Sequence, residues 1–364
     1  MIKIDGSMGE GGGQILRTAL ALSCLLGEAI EINNIRVGRP EPGLKHQHLA
    51  AIKAVERISD GKSDGARLGS TIVAFQPGKI DPGTYHFDVG TAGSTMLVLQ
   101  TVYLPLALAG DSSRLKIEGG THVPWSPAFE HSDRVWCSAL RQAGIDLKLS
   151  LLAAGFYPRG GGRIDVKIQN CEKIAPLHIL ERGPLKSVSV VGAVANLDDR
   201  IAERMTRMLN HRAKEVGIAG KMFKSEIFRA PCHTQGAYVF VQVDFEHTRA
   251  GFVGLGEPGK RAEIVAGEAW EQALTYLKAT APVESHLADQ LLLPLSIADG
   301  QSEFRTTKVT SHLLTNAKII EMFGAAKVEI EGKEDSEGRV SITPSGKFSS
   351  HGNVNGVDSD GSMG

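Results

Sequence analysis

The sequence predicts an α+β fold in which helices pack on mixed sheets. Three observations lead to it. Strand-like alternation and helical spacing of apolar residues succeed each other along the chain. A strand–helix pair followed by further strands recurs about twice before residue 170, and a segment near residues 182–280 differs in texture from its flanks. Helices that cover one face of mixed sheets are the natural architecture for such a pattern.

The first half of the chain supplies the repeated units. Met1–Asp5 alternates like a short strand, and Gly13–Leu26 has apolar residues at helical spacing until Gly27 ends the helix. The same two periodicities predict strands at Ile30–Ile35, Thr71–Phe75, Thr84–Val89, Leu115–Glu118, Asp146–Leu149 and Gly162–Ile168, and helices at Pro42–Ile58, Ser94–Ala109 and Pro127–Ala143.

The composition and the spacing of apolar residues change near Glu181–Pro184. Ser187–Ala195 is rich in β-branched residues, which favour strands, and Asp198–Val216 is a charged amphipathic helix. After Pro282 the apolar density of the first part returns. The remaining predicted elements are strands at Glu226–Arg229, Ala237–Asp244, Lys327–Glu331 and Arg339–Thr343, helices at Lys260–Lys278 and Ser311–Phe323, and a buried run at Leu291–Ile297.

This order predicts one domain inserted into another. Residues 1–181 and 281–344 would form a large repeat domain that carries the active site, and residues 182–280 a small α/β domain of the usual size. Residues 345–364, rich in Gly, Ser, Asn and Asp, are predicted to be disordered. The last five residues, Asp360–Gly364, repeat Asp5–Gly9, and no physical reason for this repeat is evident.

Composition narrows the possible functions. The 364 residues are 42% hydrophobic and 22% charged, which excludes a wholly disordered chain. No apolar run reaches the ~18 residues of a membrane helix, and no signal peptide is recognisable, so we expect a soluble, cytoplasmic protein without membrane contact. The net charge of −1 argues against a binder of long duplexes, so any nucleic-acid role needs a local cationic site. Four scattered cysteines suggest neither a zinc cage nor a disulfide framework.

A glycine run, Gly9–Gly13, joins the first strand to the first helix. Glycines allow close backbone approach and positive φ, and the N-terminal amides of the helix favour an anion. The spacing of Glu10, Gln14 and Arg17 allows their side chains to meet around the helix start. The run is either an anion site or a glycine-rich turn.

A cationic cluster lies in the next strand–loop–helix junction. Arg36, Arg39 and Lys45 are followed by His46 and His48. Guanidinium groups suit phosphate oxygens, and histidines add donors that titrate near neutrality. We rank phosphate contact above a metal, because two histidines at i and i+2 of a helix point apart. A solvated surface is the alternative.

His312 begins an apolar helix in the segment Ser311–Asn316. The positive end of a helix dipole should lower the basicity of a histidine, which favours the neutral, nucleophilic imidazole. Such an imidazole can attack phosphorus and form a phosphoramidate. A capping or core histidine is the alternative. Other polar groups in apolar stretches, either ligand-reading or structurally hydrogen-bonded, are Gln100, His286, Asp289 and Gln290.

Taken together, these segments resemble the RNA 3′-terminal phosphate cyclase family over roughly Ile4 to Thr343. The segments that carry the resemblance are Glu10–Arg17, Arg36–Arg39 with Pro42–Leu44 and Gln47–His48, Gly93–Thr95 with Leu97–Thr101, Gly155–Gly162, Leu287–Leu291 and Ser311–Asn316. The resemblance implies structural repeats with helices on mixed four-stranded sheets and a small inserted domain, in agreement with the boundaries near 182 and 280.

The resemblance also implies a reaction. A histidine, here His312, attacks the α-phosphorus of ATP and releases pyrophosphate. AMP then passes to an RNA 3′-phosphate end, and the neighbouring 2′-hydroxyl expels it to leave a 2′,3′-cyclic phosphate. Arginines and a divalent metal, Mg²⁺ or Mn²⁺, would stabilise the charge on the phosphoryl oxygens.

The roles implied for individual residues follow the motifs. Glu10 would hold the metal. The phosphate-binding residues would be Arg17, Arg36, Arg39, Gln14, Gln47 and His48. The nucleotide site would contain Gln100, His286, Leu287, Ala288, Asp289 and Gln290, with Pro127 and Phe252 near adenine. The sequence does not specify the oligomeric state, the natural RNA or the preferred metal.

Three other functions compete with this hypothesis. A non-catalytic cyclase-like protein of ribosome assembly would lack the nucleophile, so His312 argues against it. An enolpyruvyl transferase shares the repeat architecture, but the inserted segment and the histidine motif disfavour it. A pure RNA-binding module should show stacking aromatics, whereas aromatic residues make up only 5% here.

Overall fold

Sixteen strands and eight α-helices form in residues 1–348, the part of the chain that the computed structural model describes. They assemble into four four-stranded mixed sheets, which confirms the predicted α+β class. Three of these sheets share one topology, and the fourth has another.

The first two sheets are built alike. The first comprises β1 (Ile2–Asp5), α1 (Gly13–Leu26), β2 (Ile30–Asn33), α2 (His46–Ser59), β3 (Lys62–Asp64) and β4 (Val73–Gln76). The second comprises β5 (Thr84–Asp88), α3 (Thr95–Ala107), β6 (Ser113–Gly119), a π-helical turn (His131–Trp136) that continues into α4 (Cys137–Gln142), β7 (Leu147–Ala153) and β8 (Gly162–Ile168). The strand orders are β1-β2-β4-β3 and β5-β6-β8-β7, with the first pair parallel and the other pairs antiparallel.

The chain starts the same arrangement a third time and is interrupted within it. After β9 (His178–Ile179) it forms β10 (Leu185–Ala195), α5 (Arg200–Glu215), β11 (Phe223–Arg229), β12 (Gly236–Phe245), β13 (Arg249–Leu255) and α6 (Ala262–Lys278). The third unit then resumes with α7 (Ser285–Leu295), β14 (Ser302–Thr306), α8 (Ser311–Met322), β15 (Ala326–Glu331) and β16 (Gly338–Pro344). Its order, β9-β14-β16-β15, repeats that of the first two sheets, whereas the intervening sheet is ordered β11-β10-β12-β13.

Two large hydrophobic clusters hold these parts together. One joins the three equivalent sheets around α1, which packs against α2, α3 and α8. The other lies between the fourth sheet and helices α5 and α6, around the fully buried Trp270. The domain limits 1–181 with 281–344 and 182–280 remain predictions.

Several predicted bounds were wrong for local reasons. The helix expected from Pro42 begins at His46, because Gly43 has a φ of +81° and a side chain there would clash with the Gly69 carbonyl. The strand expected to reach Ile35 ends at Asn33, since Asn34 is left-handed. The helix expected from Pro127 begins at His131 with its π-helical turn.

The chain stays ordered past the predicted end at residue 344. The Ser345 amide donates to the Ala325 carbonyl at 2.9 Å, and the Lys347 ammonium pairs with Glu28 at 3.1 Å. The rest of the predicted tail, with the repeat Asp360–Gly364, lies outside the described residues. Within residues 1–348, no helix is sufficiently long and apolar to span a membrane.

Candidate active site

The glycine run allows α1, α2 and α8 to pack closely against one another at the start of α1. Gly9 and Gly11 have positive φ angles of 55° and 58°. A side chain at Gly9 would strike the Thr315 hydroxyl on α8, and one at Gly13 would strike the Nε2 atom of His48 on α2. The loop therefore lets the N-terminal ends of α1 and α8 approach each other, as a shared anion site would require.

His312 lies at this meeting point. Its Nε2 atom is 2.9 Å from the Glu10 carboxylate, which extends from the glycine run. Arg39 approaches the same carboxylate at 3.6 Å and donates to the Glu10 carbonyl at 2.9 Å. The His312 side chain is 45% exposed, so a substrate can reach it. Thr310 caps α8 by accepting a hydrogen bond from the Leu313 amide.

The expected loss of basicity at His312 was wrong. The hydrogen bond from Nε2 to the Glu10 carboxylate, together with the charge of that carboxylate, raises the pKa of His312 despite its burial. In turn, burial would raise the pKa of Glu10, but His312 and the nearby arginines outweigh burial and lower it. Each partner therefore stabilises the charged form of the other.

A cleft of about 490 Å³ opens beside His312. Its walls come from α1, α3, the loop that follows β6, α7, and β13 of the fourth sheet. Nine residues predicted for the site line it, namely Gln14, Arg17, Gln100, Pro127, Phe252, His286, Asp289, Gln290 and His312. The volume and the mixed apolar and polar walls suit a ligand the size of a nucleotide.

Arg17 and Asp289 form the charged floor of this cleft. The Arg17 guanidinium donates to Gln14 at 2.6 Å, while its Nε atom is buried without a partner within residues 1–348. Burial lowers the pKa of Arg17 to about 10, so it stays cationic at neutral pH. Burial raises the pKa of Asp289 to about 7, although His312 and His286 oppose this shift. Such a carboxyl group can donate or accept a hydrogen bond near neutrality.

Amide side chains connect α1 to α8 beneath the site. Gln14 donates to Asn316 at 3.1 Å, and the Thr18 hydroxyl donates to the same Asn316 oxygen at 2.7 Å. Asn316 itself donates to the Asp289 carbonyl at 3.3 Å, so all three helices are joined. In the described chain, Gln100 Nε2 and Gln290 Oε1 are buried with no partner, which leaves both available to a ligand.

Other predicted residues lie outside the cleft. Gln47 accepts from the Ser94 amide at 3.2 Å, and Arg36 donates to the carbonyls of Glu41 and Gly43 in its own loop. Leu287 and Ala288 are buried in α7. None of these four residues is among those that line the cleft.

His48 does not titrate near neutrality, contrary to the expectation for this cluster. Burial, reinforced by nearby Arg17, Arg36 and Lys45, lowers the pKa of His48 to about 3. The neutral ring accepts from the Lys45 amide at 3.0 Å and so caps α2. Its Nε2 atom faces the backbone of Gly13 at the start of α1.

The buried carboxylate of Glu284, which sequence analysis did not identify, caps the start of α7. Glu284 accepts from the amides of His286 and Leu287, and its oxygens lie 2.9 Å from His131 and 3.2 Å from the ring of His286. Burial would raise the pKa of Glu284, but these hydrogen bonds outweigh it and lower the pKa. The acidic residue directly before an apolar helix was the available signal.

The loop that follows β6 was also missed. Trp125 lines the cleft, has a φ of +57° and is 95% exposed, so its ring is free to contact a ligand. A buried network fixes this loop to the fourth sheet, since Glu130 lies 2.8 Å from His122 and accepts from the Tyr238 hydroxyl on β12. Only the unusual density of Pro and Trp near Trp125 marked it in the sequence.

The residues present suit a metal that arrives with a substrate. Within residues 1–348, no group of three or more His, Cys, Asp or Glu side chains could enclose a metal ion. Glu10 offers one carboxylate beside His312, with 17% of its side chain exposed. Because Mg²⁺ in phosphoryl-transfer sites is usually held by one or two carboxylates plus substrate phosphates, Glu10 fits that role.

Comparison with known proteins shows which family this chain belongs to. The profile of the family described as RNA 3′-terminal phosphate cyclase matches residues 8–330. A protein of that name from Methylococcus capsulatus is 40% identical over 98% of this chain and 98% of its own. One from Trichormus variabilis is 41% identical over 92% and 97% of the two chains, and one from Methanopyrus kandleri is 40% identical over 95% and 99%.

A solved structure, the enolpyruvyl transferase NikO from Streptomyces tendae, aligns over 94% of this chain and 65% of its own at 10% identity. Its TM-score of 0.28 is too low to support a conclusion about fold or function. The family match and the three relatives, by contrast, span nearly the whole chain. This protein therefore belongs to the RNA 3′-terminal phosphate cyclase family.

Proposed function

We propose that this protein is an enzyme that uses ATP to convert an RNA 3′-terminal phosphate into a 2′,3′-cyclic phosphate, through an adenylyl group carried on His312. One observation supports this above all. His312 is reachable at the edge of a nucleotide-sized cleft, beside the Glu10 carboxylate and the Arg17 and Arg39 guanidinium groups. The names of the relatives support the overall reaction.

In the first step, His312 acts as the nucleophile. Attack requires a lone pair on Nε2, so the imidazolium must first pass its Nε2 proton to solvent water, which reaches the 45% exposed side chain. The N–P bond to the α-phosphorus then forms as the P–O bond to pyrophosphate breaks. Arg17 faces the forming phosphoryl oxygens and stabilises their charge. A divalent cation held by Glu10 would neutralise further negative charge on the phosphates.

Two further displacements return His312 to its free state. An oxygen of the RNA 3′-phosphate attacks the adenylyl phosphorus, and the electron pair of the broken P–N bond returns to the imidazole. The 2′-hydroxyl then attacks the 3′-phosphorus, loses its proton and expels AMP. Arg39, which is 41% exposed and lies 3.6 Å from the Glu10 carboxylate, would contact the incoming terminal phosphate.

Intact mass tests the first step directly. After incubation with ATP and Mg²⁺, the wild-type protein is expected to gain one adenylyl group, labile to acid and stable to base as a phosphoramidate is. An RNA ending in a 3′-phosphate should become resistant to phosphatase. Absence of both changes would contradict the proposal and favour the non-catalytic alternative.

The Glu10→Gln substitution tests whether the Glu10 carboxylate raises the pKa of His312. Since the Glu10 carboxylate raises the pKa of His312, and since attack needs the neutral ring, adenylylation should accelerate as pH rises through that pKa. Removing the carboxylate should lower the pKa and move the midpoint of the pH–rate profile to lower pH, whatever happens to the plateau rate. Single-turnover labelling over a pH series measures this, with the exposed Glu41→Gln as the matched control. An unmoved midpoint would refute the assigned pairing.

A further inference from the structure

The second sheet exposes a cationic face. On the side away from α3, the exposed residues of β6, β7 and β8 include five cations, namely Arg114, Lys116, Lys148, Arg163 and Lys167. Three carboxylates, Asp88, Glu118 and Asp165, share this side. Only Arg114 among the five cations has a carboxylate partner within residues 1–348, Asp165 at 2.8 Å.

The strand register concentrates this charge. Arg114 on β6 stands opposite Lys167 on β8, which in turn stands opposite Lys148 on β7. Like charges directly opposite one another destabilise a sheet, so folding alone gives no reason for such a row. An anionic partner would remove the repulsion.

The equivalent faces of the other two repeats lack this excess. The corresponding face of the first sheet carries two cations and three carboxylates, namely Lys3 and Lys62 with Asp5, Glu31 and Asp64. On the third sheet the three cations are each paired with a carboxylate, as in Arg339 with Glu303 at 2.6 Å and Lys327 with Glu329 at 2.6 Å. The repeat architecture therefore does not itself require a cationic face.

A groove of about 440 Å³ lies on the cationic face. Four basic side chains line it, those of Arg57, His86, Lys116 and Arg163, together with one carboxylate, Glu118. A groove lined by cationic side chains can follow the phosphate backbone of a single-stranded nucleic acid.

The groove is continuous in the chain with the candidate active site. Glu118 on β6 lines the groove, and the segment that follows β6 forms one wall of the cleft through Val123–Ala128. A strand whose 3′ end reaches His312 must leave the cleft over a neighbouring surface. Only residues 119–122 separate Glu118 in the groove from Val123 in the cleft wall, so a strand leaving the cleft can reach the groove around the end of β6.

We propose that this groove, lined by Arg57, His86, Lys116 and Arg163, binds the single-stranded RNA segment on the 5′ side of the reacting 3′ end. The inference rests on the proposed function, because it assumes that the RNA terminus enters the cleft. Phosphate contacts of this kind hold RNA of any sequence and weaken with salt.

The experiment compares two substrates of different length. Arg57→Gln/Lys116→Gln/Arg163→Gln is assayed with a trinucleotide and with a single strand of about 16 nucleotides, the upper site size of one binding fold, both ending in 3′-phosphate. We expect the KM for the long strand to rise by about tenfold or more at low salt, while the trinucleotide is unaffected. The slope of log affinity against log salt should fall by about 2 for the long strand.

A matched variant removes three cations from the equivalent faces of the first and third sheets, Lys3→Gln/Lys62→Gln/Lys327→Gln, and should leave both KM values unchanged. Equal effects of the two triple variants would overturn the proposal. So would equal KM values of the wild-type protein for the long and short substrates.

Two controls separate this inference from the proposed function. Adenylylation of His312 by ATP without RNA should be the same in the groove variant and the wild type. If the wild-type protein is not adenylylated at all, the proposed function fails, and fluorescence anisotropy with labelled RNA still tests the groove. Anisotropy that does not distinguish the groove variant from the wild type would refute the groove by itself.

Discussion

Replacing His312 with alanine is expected to abolish transfer of the adenylyl group from ATP to the protein and to slow RNA cyclisation by at least about 10³-fold. The effect should be this large because the covalent intermediate has no other carrier. Within residues 1–348, the cleft lining holds two further histidines, His131 and His286, and Glu284 binds both. The measurement is intact mass after ATP, followed by cyclisation assays on 3′-phosphorylated RNA.

The His312→Ala variant should fold normally. Glu10 keeps its contact with Arg39 at 3.6 Å, so no carboxylate is left buried and unpaired. His211→Ala is the matched control, since His211 is 77% exposed on α5 and lies outside the cleft lining. An adenylyl–protein bond with the same acid lability in a folded His312→Ala variant would show that the nucleophile is another residue.

Replacing Arg17 with methionine should lower the rate of adenylylation by about 10²–10³-fold, in the range found when one donor to a developing oxyanion is removed. Arg17 is the cation in the floor of the cleft, and its buried Nε atom lacks a partner in the described chain, so it is available to phosphoryl oxygens. Because the charge grows in the transition state, the loss should be larger in the rate constant than in ATP affinity. Single-turnover labelling at several ATP concentrations separates the two.

Two further variants make the Arg17 result interpretable. Arg17→Lys keeps the charge but loses the fork of donors and the hydrogen bond to Gln14, so it should restore only part of the rate. Arg141→Met, which removes a 58% exposed arginine from α4, should leave the rate unchanged. Thermal unfolding of all three establishes that the proteins are folded. A wild-type rate in Arg17→Met would contradict its role.

Much of the candidate site could be predicted from local signals. A glycine run before a helix, an amide such as Gln100 within an apolar helix, and a histidine at a helix start each mark a side chain that needs a partner. For His312 the structure supplies the partner Glu10 from the far end of the chain, whereas the Gln100 Nε2 atom is left without one within residues 1–348. The resemblance of the motifs to one family suggested a common function for these separate signals. The family match confirmed that resemblance.

The predictions that failed depended on tertiary contacts between residues far apart in the sequence. The pKa of His312 rises because Glu10 lies beside it, whereas the helix dipole alone argued for the opposite. The pKa of His48 falls because α1 buries it near Arg17. Cleft residues such as Val253 come from a strand of the fourth sheet, whose position relative to α7 follows from tertiary packing. β9 is too short, at two residues, to produce any periodicity.

The interrupted third repeat has a consequence for the order in which the chain assembles. β9 must find β14 across a connection roughly five times as long as those that join β1 to β2 and β5 to β6. Closure entropy grows only with the logarithm of length, so the extra cost is about 1.4 kcal/mol. The strand pairing that must offset this cost involves only two residues on each strand, His178 and Ile179 with Glu303 and Phe304. This seam should therefore close last on folding and exchange its amide hydrogens first in the native protein, ahead of the corresponding seams of the other two repeats.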